Sequence, residues 1–390
     1  MKKYKKGICI FIILTLPLNI SGCAAYTEIS DLPLILGAAI DKDDNGEYLL
    51  TVEVFKPSAA PKEQGTKTTT EIFQTKGKTI FEAVRDLTIK LDKRAYWTHL
   101  KVFIVSKEIA KKGISPILDF FNRNAHIRKE FPVLISNDES AYEIFYKGKQ
   151  TISEPVSIFI HDTVKSVDKI SKYDYVKFYE FIDDMSTKGQ GAVLPLISMN
   201  PIVGKKTPSV YGLAVFKKDK MIGTLDSNES KTLRLLKNKE KGGLLILQWI
   251  ENNKHENVTL EIFKSKTKIE PLYNNGELSI NIKITTTAEI AEIMNPNIDI
   301  LDEKGREELK KKAEKKIKND VEKLMFKLQN NYQSDAVGFG KKIREKKPKV
   351  WKEYEGNWSD IYQTIPLNIS VNVEFKGTTS ISEEIKFKER

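Results

Sequence analysis

One of the two cysteines of the chain, Cys23, stands in a context that predicts covalent modification. Residues 2–6 include four lysines, and a mostly apolar stretch follows at residues 8–18. That stretch is shorter than the ~20 apolar residues of a membrane-spanning helix, and it is typical of a signal peptide. The tetrapeptide Ile20-Ser21-Gly22-Cys23 then matches a lipobox, the aliphatic-small-Gly-Cys pattern of bacterial lipoproteins.

We therefore predict that residues 1–22 are a lipoprotein signal peptide that is removed. Cys23 would then carry an S-diacylglycerol and an N-acyl group such as palmitate. Several acyl chains on one residue anchor a protein stably, whereas a single chain binds a membrane only marginally. Cys9 would leave with the signal peptide, so that Cys23 would have no partner for a disulfide. The sequence thus predicts lipid anchoring on the extracytoplasmic side of a membrane.

Two short motifs resemble ion-binding or phosphate-binding loops but lack necessary residues. The segment 41–46, DKDDNG, matches the first half of an EF-hand loop, but position 12 is Val52 where calcium needs a bidentate carboxylate. The segment 202–207, IVGKKT, lacks the first glycine of a P-loop and has a second lysine in place of its Ser or Thr. We interpret DKDDNG as a hairpin turn and reject the phosphate loop.

The other reactive side chains form no recognisable catalytic set. His99, His126, His161 and His255 are scattered, and none has a partner at metal-ligand spacing. The Gly-x-Ser-x-Gly pattern of a nucleophilic serine does not occur. We predict no catalytic residue, no metal site and no cofactor.

The composition favours a folded protein with a basic surface. The 390 residues are 40% hydrophobic and 30% charged, and the formal net charge is +11. Such a length suggests two or three domains. A basic surplus favours weak attraction to anionic surfaces. Nucleic-acid binding would ask for a recognisable module or for basic residues interleaved with aromatic ones, and we find neither, so no nucleic-acid partner is predicted.

The first part of the exported chain shows signals for alternating strands and helices. Thr79 to Glu82 form a capping box before an amphipathic helix at residues 80–91. Asp138 is expected to cap a helix that ends before Gly148. We assign residues 23–148 to an N-terminal α/β domain.

Residues 149–206 are interpreted as a smaller middle region that ends in an irregular connection. Several glycines and prolines interrupt the pattern there, among them Pro195 and Pro201. The segment GQG at 189–191 is interpreted as a turn.

Residues 207–390 are assigned to a C-terminal α+β domain that begins with a hairpin at residues 211–225. Alternation in three later segments predicts a largely antiparallel sheet. Apolar residues from Leu309 to Leu328 line one face of a long, lysine-rich amphipathic helix. Its lysines could lie on an anionic membrane, but we favour packing on the sheet with the lysines facing water. The predicted fold class is therefore α+β (mixed α/β) with several domains.

Four stretches together carry a family resemblance. They are YTEISDLPLILGAAIDK (26–42), RAYWTHLKVFIVSKEIAKKGISPILDFFNRNAHIR (94–128), GLAVFKKDKMIGTLDSNES (212–230) and GFGKKIREKKPKVWKEYEGNWSDIYQTIPLNISVNVEFKGT (338–378). In this order, behind a lipobox, they resemble the Ger(x)C family, the C-subunit lipoproteins of bacterial spore nutrient germinant receptors. Ala24 departs from the pattern, because family members usually carry Trp directly after the lipid cysteine.

The resemblance implies a function that the residues alone do not give. It implies a lipidated protein on the outer-leaflet side of the inner spore membrane, which acts in nutrient-triggered germination. Its partners would be the A-type and B-type integral membrane subunits of the receptor. The resemblance also implies a multi-domain α/β fold without known catalysis.

We therefore interpret the chain as a non-enzymatic receptor subunit. Cys23 is its predicted site residue. Trp351, Trp358, His99 and Lys101 are weaker candidates for interfaces, and the simpler interpretation is core packing for the tryptophans and surface exposure for Lys101.

Two other classes of protein make different predictions. A solute-binding lipoprotein of a transporter would have two similar α/β lobes around a cleft. A lipid-anchored hydrolase would need a nucleophile with its base, or a metal cluster.

Overall fold

The computed structural model describes residues 32–55, 70–124, 127–138, 140–251, 254–294 and 303–376. These residues form two β-sheets with helices packed on them, in a mixed α/β, two-domain layout that confirms the predicted fold class. The predicted signal peptide, Cys23 and His126 lie outside the described residues.

The first sheet has eight strands in the order β3-β2-β1-β4-β5-β6-β7-β8. The strands are β1 Leu34–Lys42, β2 Tyr48–Phe55, β3 Thr70–Gly77, β4 Val102–Ser106, β5 Val133–Ser136, β6 Val193–Ile202, β7 Lys205–Lys217 and β8 Lys220–Leu225. The neighbours β1, β4, β5 and β6 are parallel, and the outer strands on both sides are antiparallel. Both faces of the parallel centre are covered, and β4 and β5 are accordingly buried along their whole length and mostly apolar.

Helices cover both faces of the first sheet and form two separate cores. The helices α1 to α3 and α7 share one core, and α4 to α6 share the other. Their bounds are α1 Ile80–Leu91, α2 Lys107–Lys112, α3 Ser115–Arg123, α4 Tyr142–Thr151, α5 Val156–Lys165, α6 Val167–Ile170 and α7 Phe178–Ser186. Helix α1 has the predicted bounds, and the Thr79 hydroxyl accepts the N–H of Glu82 at 3.1 Å.

The second sheet has four strands in the order β12-β11-β10-β9. They are β9 Leu244–Glu251, β10 Lys254–Asn274, β11 Glu277–Ile293 and β12 Leu367–Phe375. The first three are antiparallel, and β12 is parallel to β11. The sheet is thus largely antiparallel, as its alternating residues predict.

Five helices complete the second domain as the structure describes it. They are α8 Ser227–Leu236, α9 Glu303–Phe326, α10 Phe339–Lys346, α11 Pro348–Tyr354 and α12 Trp358–Thr364. A π-helical turn, Lys327–Tyr332, continues α9. The predicted apolar residues of α9 are buried in the core of this domain. Its apolar stripe therefore packs against the protein, which is the interpretation that the sequence favours.

The first sheet crosses the boundary that the sequence places after residue 206, and this corrects our assignment of the hairpin at 211–225. Strand β6 pairs with β7 from Val193–Val215 to Ile202–Lys205. The hairpin β7–β8 is therefore an edge of the first sheet. We missed β6 because Pro195 and Pro201 indicate an irregular connection. A strand tolerates proline where pairing is irregular, and the register shifts next to Pro195.

Candidate functional site

The two domains meet along a groove of about 870 Å³, which we call the junction groove. Helix α7 forms one wall with the acidic side chains Glu180, Asp183 and Asp184. The second domain and the turn after α8 form the other wall, which carries the lysines Lys237, Lys239, Lys268, Lys341, Lys342 and Lys346. One wall is thus acidic and the other basic.

Two ion pairs cross the junction groove. Lys237 lies 3.5 Å from Asp184, and Lys341 lies 3.7 Å from Asp183. The first pair is partly buried, because Lys237 is 11% and Asp184 22% exposed, whereas Asp183 is 68% exposed. The more buried pair is the one that contributes to holding the walls together, since water screens exposed pairs.

Two Gly-x-Gly segments lie against each other beside the groove, residues 189–191 before β6 and residues 338–340 at the start of α10. A Cβ atom on Gly189 would lie 2.8 Å from the Cα of Gly340, and one on Gly340 would lie 2.7 Å from the Cα of Gly189. The N–H of Lys341 donates to the carbonyl of Gly189 at 3.1 Å. Only residues without side chains permit this approach of two backbones.

The segment GQG was interpreted from the sequence as a turn, and it proves also to be a contact between domains. Gly189 has φ +72°, as a turn requires, and the N–H of Gly191 donates to the carbonyl of Asp335 at 2.7 Å. The signal that sequence reasoning missed is the presence of a second such segment, GFG at 338–340.

Asp335 fixes the start of α10 under this contact. Its carboxylate accepts the N–H groups of Gly338, Phe339 and Gly340 at 2.8–2.9 Å and the indole N–H of Trp358 at 3.3 Å. Burial raises the pKa of Asp335 to about 6, although these donors act in the opposite direction. The carboxylate is enclosed and saturated with donors, so its role is to position the helix.

A buried arginine connects α8 with the segment around α6. Arg234 is 2% exposed and donates from Nη1 to Asp174 at 2.8 Å and from Nη2 to Asp168 at 3.0 Å. Its Nε lies 3.4 Å from Glu240, and the hydroxyl of Ser171 donates to the same carboxylate at 2.5 Å. We call these residues the Arg234 cluster. Lys239 also pairs with Asp174 at 2.8 Å and Lys241 with Asp168 at 3.0 Å, so that every acid of the cluster has a cationic partner.

The acids of the Arg234 cluster respond differently to burial. Burial raises the pKa of Glu240 more than Ser171 and Arg234 lower it. Burial also opposes the ionisation of Asp174, but the nearby Lys239, Lys237 and Arg234 outweigh it and lower the pKa of this group. Asp174 is therefore the stable counter-ion of the cluster.

Two more buried acids of the first sheet hold helix N-termini. Asp41 accepts the N–H groups of Ala141 and Tyr142 at 2.6 and 2.9 Å and so caps α4, and burial raises its pKa to about 6. The predicted cap, Asp138, instead accepts the N–H of Met199 at 2.8 Å. The capping prediction was wrong because the acid that reaches α4 comes from β1, about a hundred residues earlier.

Glu53 of β2 does the same for α5. It accepts the N–H groups of Val156 and Ser157 at 2.9 and 2.8 Å and the hydroxyl of Thr70 at 2.8 Å. The side chain is fully buried. Anionic groups at helix N-termini satisfy N–H groups that lack an intrahelical partner.

The sequence-predicted site residues do not meet in one place. Trp351 and Trp358 pack on each other with ring centroids 5.5 Å apart in the core of the second domain, as the simpler interpretation has it. His99 is exposed in the first domain with its ring 6.1 Å from that of Tyr96. Lys101 is half-buried, and its backbone N–H donates to Leu36 at 2.7 Å. None of these four lines the junction groove.

The described part of the chain offers no cluster of three or more His, Cys, Asp or Glu residues that could hold a metal ion. None of its helices has the length and the apolar composition that crossing a membrane requires. The buried acids described above bind helix N-termini or Arg234, and Asp183 and Asp184 pair with lysines across the groove, so the arrangement serves to hold helices and domains in place.

Comparison with known proteins matches a different family domain to each of the two parts of this protein. The family described as "Spore germination protein N-terminal domain" matches residues 25–199, and "Spore germination B3/GerAC like, C-terminal" matches residues 211–379. The chain therefore belongs to the Ger(x)C family of spore germination proteins. The first match ends within β6 and the second begins within β7.

Curated relatives cover nearly the whole chain. Spore germination protein B3 of Bacillus subtilis (strain 168) is 28% identical over 369 residues, which is 93% of this chain and 94% of that protein. Spore germination protein KC of the same organism is 23% identical over 406 residues, 98% of each chain. The crystal structure of the GerBC protein has the same fold, with a TM-score of 0.54 and 23% identity over 90% of this chain and 100% of that one.

Proposed function

We propose that this chain is the non-enzymatic, lipid-anchored C subunit of a spore nutrient germinant receptor. The observation that carries the proposal is the match of both domains to Ger(x)C family domains over nearly the whole chain. In this role the protein acts through its surfaces, beside the A-type and B-type integral membrane subunits, at the inner spore membrane.

Cys23 is the proposed anchor. It lies nine positions before Leu32, the first described residue. A lipid at Cys23 would keep both domains on the extracytoplasmic side and close to the membrane. Confinement to the membrane plane raises the effective concentration of the subunit near its membrane partners, so that weak contacts suffice for assembly.

The state of the buried acids supports a role without catalysis. A general acid or base must reach the proton that it transfers. Asp41, Glu53 and Asp335 are instead occupied by backbone N–H groups, and Asp174 and Glu240 belong to the Arg234 cluster. These contacts hold the fold together and leave the surfaces as the acting parts of the protein.

The junction groove is compatible with a second candidate function, that of an extracytoplasmic solute-binding lipoprotein. A groove with an acidic and a basic wall could receive a zwitterionic nutrient. The domains, however, are unlike each other, with a sheet of eight strands in one and of four in the other. Two ion pairs already connect the walls. We therefore favour the receptor subunit.

Nutrient-triggered germination tests the proposal. Spores without this gene and without other nutrient receptors would be complemented with the wild type, Cys23→Ala or Cys9→Ala, and release of core solutes would be followed. We expect wild type and Cys9→Ala to restore the response and Cys23→Ala to fail, with loss of the protein from the membrane fraction. All strains should germinate with a trigger that bypasses the receptors.

The outcomes separate the parts of the proposal. If Cys23→Ala supports germination and stays in the membrane fraction, the lipid anchor is wrong. If the gene restores no response to any nutrient when its two partner subunits are also present, the receptor role is wrong. Thermal unfolding of the purified protein with amino acids, sugars and nucleosides tests the rival, because a ligand that binds the folded state raises the unfolding temperature.

A further inference from the structure

A second concave surface lies at the end of the first domain where the described chain begins. It runs between α1 and α3 and comprises two adjoining cavities of about 600 and 800 Å³, which share Phe81, Arg94, Phe120 and Asn124. Leu32 lines the first cavity and is half-buried. We call this surface the α1–α3 groove.

The floor and rim of the α1–α3 groove combine apolar and basic groups. Phe81 is 55% exposed, and the guanidinium of Arg85 lies over its ring at 5.0 Å from the centroid. Arg85 and Arg94 are both exposed, and no described carboxylate pairs with either of them. A partner for this surface therefore needs apolar side chains and negative charge together.

The described chain begins in the groove, at Leu32. Residue Leu34 forms a parallel bridge with Tyr96. The N–H of Tyr96 donates to the carbonyl of Pro33 at 2.9 Å, and the N–H of Ile35 donates to Tyr96 at 3.0 Å. Because the two segments run parallel, Pro33 and Leu32 follow Ala95 and Arg94 as the chain is followed backwards, and Leu32 and Arg94 line the same cavity.

The preceding segment has the composition that the groove requires. Residues 24–31 read AAYTEISD, with the acids Glu28 and Asp31, the apolar side chains Tyr26 and Ile29, and no basic residue. Eight extended residues span at most ~28 Å. The next residue, Leu32, lines the groove, so docking of the segment there requires no long loop and little loss of chain entropy.

We propose that residues 24–31 dock in the α1–α3 groove, with Tyr26 and Ile29 against Phe81 and Phe120 and with Asp31 and Glu28 near Arg94 and Arg85. A concave surface fits a peptide segment better than a flat bilayer. The docked segment makes the connection to Cys23 short and fixed. If Cys23 is lipidated as proposed above, this end of the domain faces the membrane, but the docking itself does not depend on the lipid.

Disulfide trapping tests the docking in the full-length chain, purified in mild detergent. Cys9→Ser and Cys23→Ser remove both native cysteines. Ile29→Cys is then combined in turn with Val84→Cys or Thr88→Cys, which line the groove, or with Gln150→Cys on α4 as the control. Helix α4 packs on the opposite face of the sheet. Two cysteines cross-link only when their Cβ atoms approach to about 4 Å.

We expect at least one groove pair to cross-link tenfold faster or more than the control pair under mild oxidation. Asp31→Arg should slow this cross-link, and Arg94→Asp in the same chain should restore it, because the charges are then exchanged. Circular dichroism identifies any variant that fails to fold. The proposal is overturned if folded groove pairs react no faster than the control.

It is also overturned if the groove cysteines remain open to a maleimide reagent and become protected only when vesicles of anionic phospholipid are added. That result would assign the groove to the membrane surface. Protection without vesicles, together with the cross-link, supports the docked segment.

Discussion

Gly189 and Gly340 lie back to back, so close that a methyl group on either would lie within 2.8 Å of the other's Cα atom. The first glycine precedes β6, and the second belongs to the first turn of α10. Each falls in the part of the chain that matches a different domain of the family. At this point the two domains are therefore in direct backbone contact. A movement of one domain relative to the other must break it.

Replacing Gly340 by alanine tests this contact. We expect Gly340→Ala to lower the free energy of unfolding by about 1–3 kcal/mol, since the new methyl group forces the backbone of Gly189 to shift. Gly356→Ala is the control, because a Cβ there meets nothing within 4 Å. The measurement is urea unfolding of both variants. Equal stability of Gly340→Ala and the wild type would show that the contact is not formed in solution.

The Arg234 cluster predicts a large effect from a single buried side chain. Arg234→Met leaves Glu240 buried without its cation and Asp174 with Lys239 alone, and removal of one partner of a buried ion pair costs about 3–5 kcal/mol. Arg123→Met is the control. It also removes a short ion pair, to Asp119 at 2.7 Å, but Arg123 is 79% exposed and its loss should change stability little. Thermal and urea unfolding would show the difference. Similar small losses for both variants would contradict the buried cluster.

The elements with local signals were predictable from the sequence. Helix α1 begins at its capping residue Thr79, and α9 follows from apolar residues at helical spacing, because both signals depend on neighbours in the chain. The hairpin of β1 and β2 around Asn45-Gly46 is of the same kind. The fold class follows from such elements.

The other contacts could not be predicted because they depend on residues far apart in sequence. Nothing near Asp41 indicates that it caps a helix about one hundred residues later. Gly189 looks like any turn glycine until Gly340 is placed against it. Pro195 argues against a strand, and only the pairing partner β7 shows how the sheet accommodates it.

Asp335 predicts a pH dependence of stability. Its pKa is raised from 3.8 to about 6 in the folded protein, so between these values the folded state binds more protons than the unfolded state. The contribution of this group to the free energy of unfolding therefore falls as pH rises from 4 to 6. At ~1.4 kcal/mol per unit of pKa, the change is about 2–3 kcal/mol.

Comparison with Asp335→Asn isolates this contribution, because the other titrating groups are common to both proteins. We expect the wild type to exceed Asp335→Asn in stability by more at pH 4.5 than at pH 7. Urea unfolding at both values gives the two differences. The same difference at both pH values would mean that Asp335 does not change its protonation in this range.

Substitution of two neighbouring acids on α7 tests whether ion pairs hold the two walls of the junction groove together. Asp184→Asn should cost about 1–2 kcal/mol, because Asp184 and Lys237 are mostly shielded from water. Asp183→Asn removes the more exposed pair with Lys341 and should cost much less. High salt should reduce the stability cost of Asp184→Asn only a little, since screening acts mainly on exposed pairs. If both variants lose equal stability, the shielded pair contributes no more than the exposed pair to holding the walls together. If Asp184→Asn alone also slows germination while the protein stays folded, the ion pair between the walls is needed for the action of the subunit.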